Sequence, residues 1–210
     1  MNPEIAEQLL YESEATLRLV DSLLDELQDD DPQLHFGFPG MQTLQLEPDF
    51  ASEDPDELPA VYAKLINESF RDAPADMVKA MHLCRGNFRS SWAAEGGYDP
   101  VAEAMFNEIR VDGYFLEYDT PRAGSFAPLR FLPAGKVVAL GLVSTKTPVL
   151  EPVDALRRRI EEAAEFAPLD RLALAPQCGF ASSIGGNPLT EADQRAKLER
   201  LVAVARAVWP

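Results

Sequence analysis

Apolar residues along this chain follow two alternating periods. Ile5, Leu9, Leu17, Val20, Leu24 and Leu27 recur at roughly every 3.6 residues with acidic residues between them, which predicts a helix over 3–28. Pro3 suits its first turn, and the acidic run to Pro32 ends it. After the turn-rich stretch His35 to Gly40, residues 41–46 alternate as a strand, stopped by Glu47-Pro48. Val61, Leu65, Ile66 and Phe70 form the stripe of a second helix, and 78–83 form a second strand. The alternation continues with a helix over 101–109, a strand over 113–118, and a β-branched apolar run at 137–143 that fits a strand buried on both faces. A helix over 152–166, a strand over 171–175 and a last helix running to Trp209 complete the chain. Thr190 caps that last helix with Asp193 three residues on, and Leu198, Leu201, Val202 and Ala205 are its expected core stripe.

Strand and helix thus take turns, with five strands spaced by roughly thirty to forty residues, the pattern of βα units in a parallel sheet. We divide the chain into an N-terminal helix and linker, 1–40, and an α/β part, 41–210. Glu47, His82 with Cys84, Glu117, Ser144-Thr145-Lys146 and Cys178 all fall at C-terminal ends of strands. In a parallel sheet those ends share one face, and in a (β/α)8 barrel that face holds the active site.

Composition narrows the function classes. At 210 residues the chain supports one substantial core, or at most two small ones. A net charge of −16 argues against nucleic acid and anionic membrane surfaces, since phosphate contacts need clustered Lys and Arg. No apolar stretch approaches the ~20 residues of a membrane span, and Asn2-Pro3-Glu4 lacks the start of a signal peptide. A cytoplasmic protein is expected, in which the two cysteines are not a structural disulfide.

His82 and Cys84 are two apart in an extended segment, so they present nitrogen and sulfur to one side. With Glu117 and Cys178 they form a donor set from three strand ends that zinc accepts tetrahedrally. The chain lacks the Cys-x2-Cys knuckle of structural zinc sites, and zinc beside a thiol holds it as thiolate at neutral pH. Thiol alkylation is the chemistry this favours, with structural zinc, a redox pair of Cys84 and Cys178, or no metal as the alternatives. Arg85 and Asn87 offer themselves either to an anionic substrate or as loop caps. Trp92 and Tyr98 could stack a flat donor, though packing is the ordinary role. Lys146 is expected at the surface, its alternative being to hold an anionic substrate end. His35 is given no role.

Four segments then carry a resemblance: His82-Leu83-Cys84-Arg85-Gly86-Asn87-Phe88, Gly96-Gly97-Tyr98-Asp99-Pro100, Phe115-Leu116-Glu117-Tyr118-Asp119 and Pro176-Gln177-Cys178-Gly179-Phe180. In this order they resemble the cobalamin-independent methionine synthase family, most closely its short, single-barrel branch, over roughly residues 42–210. The resemblance implies a (β/α)8 TIM-barrel type of fold and zinc (Zn) held by His82, Cys84, Glu117 and Cys178. It further implies methyl transfer from a methyltetrahydrofolate-like donor to a small-molecule thiol such as homocysteine.

The sequence departs from the family pattern in three places. Gln45-Leu46-Glu47 stands where the family has Gln-Ile-Asp, so the substrate-binding carboxylate is one methylene longer. Ser144-Thr145-Lys146 stands where the full-length synthase carries a histidine proposed as an acid. The front of the barrel is short, leaving about five C-terminal βα units. The chain is therefore expected to be a fragment, to be completed by a second copy or a complementing chain, or to cover its open edge with 3–28. The alternative function is a truncated or degenerate zinc-binding barrel acting as a non-catalytic subunit. On the leading reading, Glu47, Arg85 and Asn87 position the substrate.

Overall fold

The computed structural model describes residues 58–210, apart from 88, 93 and 182–185. The expected helix over 3–28, the strand over 41–46, Glu47 and the boundary at residue 40 lie outside the described residues. The other four expected strands are found. Helix α1 (Leu58–Ser69) precedes β1 (Ala80–Leu83), then come α2 (Ala102–Glu108), β2 (Gly113–Glu117), β3 (Val137–Val143), α3 (Val153–Ala164), β4 (Leu172–Pro176) and α4 (Glu191–Val208). Three short 3-10 turns, Pro121–Ala123, Ala127–Phe131 and Leu169–Arg171, lie in the connections.

The strands form one sheet in chain order, every pairing parallel. Register and pleat separate its two faces. Leu83, Leu116, Leu140 and Leu174 align in one row and pack in the hydrophobic core. His82, Phe115, Ala139 and Ala173 align in the neighbouring row, followed by Glu117, Gly141 and Ala175. Successive residues of a strand point to opposite faces, so the second set lines the other side. That side is built largely of alanine and glycine, which leaves room in front of it.

Helices cover the leucine face. The buried stripe of α3 is Leu156, Ile160 and Ala163, and that of α2 is Ala102, Met105 and Phe106. The capping box of α4 is present: Asp193 N–H donates to Thr190 Oγ1 at 3.2 Å and Thr190 N–H donates to Asp193 Oδ2 at 2.8 Å. The Thr190 hydrogen bonds hold the Asp193 carboxyl below the usual carboxylate range.

Two expectations are corrected. Strand β1 starts at Ala80 rather than residue 78, and Val78 is exposed. The inward stripe of α4 runs through Lys197, Leu201, Val204 and Val208, leaving Val202 exposed. The reason is Lys197, fully buried, whose ammonium donates to Val149 O and to both oxygens of Glu151 at 3.1 Å. The inward face of this helix therefore includes a charged residue beside its apolar ones. Among the described residues, no helix is long and apolar enough to cross a membrane.

Candidate metal centre

The strand ends converge as the parallel topology requires. One ligand atom each from His82, Cys84 and Cys178 lie within 4.8 Å of one another. Strands β1 and β4 are three positions apart, so a flat sheet would separate them by roughly 14 Å. The sheet must therefore curl, as a barrel wall does, to bring Cys178 to the His82–Cys84 pair. The cluster opens to solvent, with His82 and Cys84 exposed and Cys178 half-buried. Gly86 N–H points at Cys84 Sγ at 3.4 Å, a donor suited to a thiolate. One nitrogen and two sulfurs are a donor set that fits zinc, which takes four ligands.

Glu117 stands beside this cluster rather than within it. Its carboxylate is buried, accepting Arg85 N–H on Oε2 at 2.7 Å and the Trp92 indole N–H on Oε1 at 3.1 Å. Tyr98 secures the strand end behind it, for its hydroxyl accepts Glu117 N–H at 2.8 Å and donates to Leu83 O at 2.9 Å. Burial pushes the Tyr98 phenol up, against the pull of the Arg85 guanidinium 4.1 Å from its ring centroid.

Arg85 and Asn87, expected with Glu47 to position the substrate or else to cap their loop, both make hydrogen bonds within the protein. Arg85 is buried, donating from Nε to Gly96 O at 2.7 Å and, at longer range, to Glu117 O and Ala123 O. It braces the loop that follows β1. Asn87 Nδ2 donates to Gly179 O at 3.2 Å and Thr145 Oγ1 at 3.3 Å, and its Oδ1 accepts from Asn187 at 3.4 Å. Thr145 Oγ1 in turn donates to Gln177 Oε1 at 3.0 Å. The loops after β1, β3 and β4 are thereby tied together.

The two aromatics of the loop after β1 differ. Tyr98 is core, packed edge-on against Tyr118 at 5.4 Å. Trp92 carries two cations over its ring, the Arg122 guanidinium at 4.8 Å and Lys146 Nζ at 5.3 Å from the centroid. The loop also places Arg89 and Ser90 in the left-handed region, at φ 49° and 69°. Non-glycine residues held there cost energy and gather at functional loops.

Sequence reasoning gave Asp119 no role and placed Lys146 at the surface, with an anionic substrate end as its alternative partner. Lys146 is 2% exposed, not on the surface. Asp119 is half-buried with both carboxylate oxygens shut off from water; burial pushes its carboxyl up, while Ser144 and then the neighbouring Lys146 ammonium oppose that rise. The one signal available was position, since both lie just beyond the ends of β2 and β3.

A curled parallel sheet whose C-terminal strand ends gather a His/Cys/Cys cluster defines a partial α/β barrel with a metal-type site. The model of the cobalamin-independent synthase catalytic domain matches residues 25–207, and the chain belongs to that family. Among relatives, the Bacillus subtilis protein YxjH, described as uncharacterised, is 52% identical over 157 residues, covering 74% of this chain and 42% of YxjH. The methionine synthase of Pyrococcus abyssi is 25% identical over 169 residues, covering 80% of this chain and 43% of that protein. Among solved structures, the putative vitamin-B12 independent methionine synthase of Listeria monocytogenes superposes with a TM-score of 0.58 at 37% identity, covering 75% of this chain and 43% of that one. The chain thus spans 42% of the length of YxjH and similarly little of the others.

Proposed function

We propose that the chain carries a zinc-dependent methyl-transfer site acting on a thiol such as homocysteine, with a methyltetrahydrofolate-like donor. The supporting observation is the convergence of His82, Cys84 and Cys178 at the strand ends of a cobalamin-independent synthase domain. His82, Cys84 and Cys178 would hold the zinc. Glu117 is the expected fourth ligand, each of its oxygens accepting one N–H and keeping a lone pair. When bound, zinc lowers the pKa of a coordinated thiol and keeps it nucleophilic at neutral pH. The chain's own residues do the rest. Trp92 and Arg85 N–H aim the Glu117 carboxylate, Asn87 holds three strand-end loops in register, and Glu47 remains the expected partner of the substrate's ammonium group.

The test is zinc content and X-ray absorption at the zinc edge, on reduced protein never exposed to chelator. About one zinc per chain with two sulfurs, rising to three when homocysteine is added, is the expected result. Absence of zinc would remove the central claim.

A second reading has its own observation. Strands β1 and β4 are unpaired edges among the described residues, and the chain spans 42% of YxjH. A half-barrel of this kind fits a zinc-binding subunit that needs another polypeptide for turnover. A monomer that binds zinc but neither thiol nor folate would favour it.

A further inference from the structure

Two lysines are buried in this fold, and only one is satisfied. Lys197 is closed by Glu151 and Val149 O. Lys146 is 2% exposed, and its Nζ has no hydrogen-bond partner among the described residues. Its visible support is the face of Trp92, 5.3 Å away. A desolvated ammonium with three unused N–H donors is costly unless an acceptor meets it.

The neighbouring acids do not fill that place. Both oxygens of Asp119 are buried without a hydrogen bond among the described residues, so Asp119 attracts Lys146 without bonding to it. Glu117 accepts from Trp92 and Arg85 and makes no hydrogen bond to Lys146 among the described residues. The turn that carries Lys146 is fastened on three sides, which fixes where its side chain starts. Ser144 N–H donates to Glu151 Oε1 at 2.8 Å, Thr145 Oγ1 to Gln177 at 3.0 Å, and Asn187 Nδ2 to Thr145 O at 3.1 Å. The turn leaves β3, which lies in the sheet between β2 and β4, the strands leading to Glu117 and Cys178. Asp119 answers this charge from a distance but takes none of its N–H donors, which leaves a place for an anion supplied from outside. The negative charge of Asp119 nearby disfavours a dianion such as phosphate and selects a monoanion.

We propose that Lys146 is the carboxylate-binding residue of this site. The proposal rests on the thiol-methylation reading only for what bears the carboxylate. An amino-acid thiol carries one beside its α-carbon, and a folate-type donor carries them on its glutamyl tail.

The test is titration calorimetry on the reduced full chain and on the variants Lys146→Met and Lys146→Arg. L-norleucine, an amino acid without sulfur, is compared with n-pentylamine, the same molecule without its carboxylate. Methyltetrahydrofolate is compared with the corresponding pterin without glutamate. A charge-assisted contact predicts a preference for the carboxylate form of about 10- to 100-fold. Lys146→Met, similar in length, should abolish it, and Lys146→Arg should keep most of it, which separates lost charge from lost fold. Loss confined to norleucine assigns the acceptor, and loss confined to the folate assigns the donor tail. A wild-type chain with no carboxylate preference, or a Lys146→Met chain that keeps it, overturns the proposal. Homocysteine entering the zinc shell while Lys146→Met keeps its preference would remove this proposal and leave thiol activation standing. Lost preference without any zinc–thiol contact would do the reverse.

Discussion

Trp92 and Glu117 are joined by a hydrogen bond from the indole N–H to Oε1 at 3.1 Å. A residue from the loop after β1 thereby orients a carboxylate at the end of β2, next to a cluster that also draws on the end of β4. Partners of this kind fix a ligand's direction, and their loss typically weakens metal binding by about 10- to 100-fold. Trp92→Phe keeps an aromatic platform but removes the N–H. Zinc affinity measured by chelator competition should fall within that range, with the circular dichroism spectrum unchanged. Unaltered affinity would mean that Glu117 takes no part in holding the metal.

The Lys197–Glu151 pair makes a second prediction. Lys197 is fully buried, and Glu151 also accepts Ser144 N–H at 2.8 Å. Removing one partner of a buried pair typically costs about 3–5 kcal/mol, whereas replacing both with apolar groups is often neutral. Urea unfolding should show Lys197→Met strongly destabilised and Lys197→Met/Glu151→Leu largely recovered. The double variant still strips Ser144 N–H of its acceptor. It should therefore loosen the turn that carries Lys146 even where global stability returns.

Much of this architecture is legible in the sequence because parallel strands and amphipathic helices write themselves as local periods. The seven apolar residues 137–143 coincide with β3, and Thr190 with Asp193 marks the start of α4. The site was legible to the extent that it depends on strand ends: the His-x-Cys pair of β1 and Cys178 after β4 do meet. Pairwise commitments inside the fold were not legible. Nothing local says that Arg85 spends its guanidinium on main-chain carbonyls, or that a lysine in Ser-Thr-Lys is buried. Both follow from neighbours distant in the chain, Gly96 and Ala123 for one and Trp92 for the other. Of the expected α4 stripe, Leu201 packs against the core and Val202 is exposed, while Lys197, whose partner Glu151 is distant in the chain, turns inward.

Three buried tyrosines set an alkaline limit. Burial pushes the phenols of Tyr98, Tyr114 and Tyr118 up, and Tyr98 and Tyr114 donate hydrogen bonds that need the proton. The unfolded chain releases these protons near the free tyrosine value of about 10, while the folded chain retains them. Their contribution to stability is therefore fully present below pH ~10 and is lost as pH rises from there toward the folded values. Stability should fall through this window, with phenolate absorbance of the three appearing only together with unfolding. Ionisation of all tyrosines ahead of unfolding would contradict the packing around them.

Gly141 is where the site wall tolerates no side chain. A Cβ there would sit 2.7 Å from Leu116 O and 2.9 Å from the Cα of Gln177, both main-chain atoms of neighbouring strands or their extensions. Neither can move without shifting β2 or the segment leading to Cys178. Gly113 is the natural control, because its nearest obstacle is a methyl of Val137 at 3.2 Å, which can turn aside. Overpacking of a well-filled region costs about 1–3 kcal/mol, and more where backbone must yield. Gly141→Ala should therefore lower the urea midpoint well beyond Gly113→Ala. It should also weaken zinc binding by displacing the segment that carries Gln177 and Cys178, an effect Gly113→Ala should not share. Equal stability losses in the two variants, with zinc affinity intact in both, would show that the β3–β4 contact at Gly141 does not set the position of Cys178.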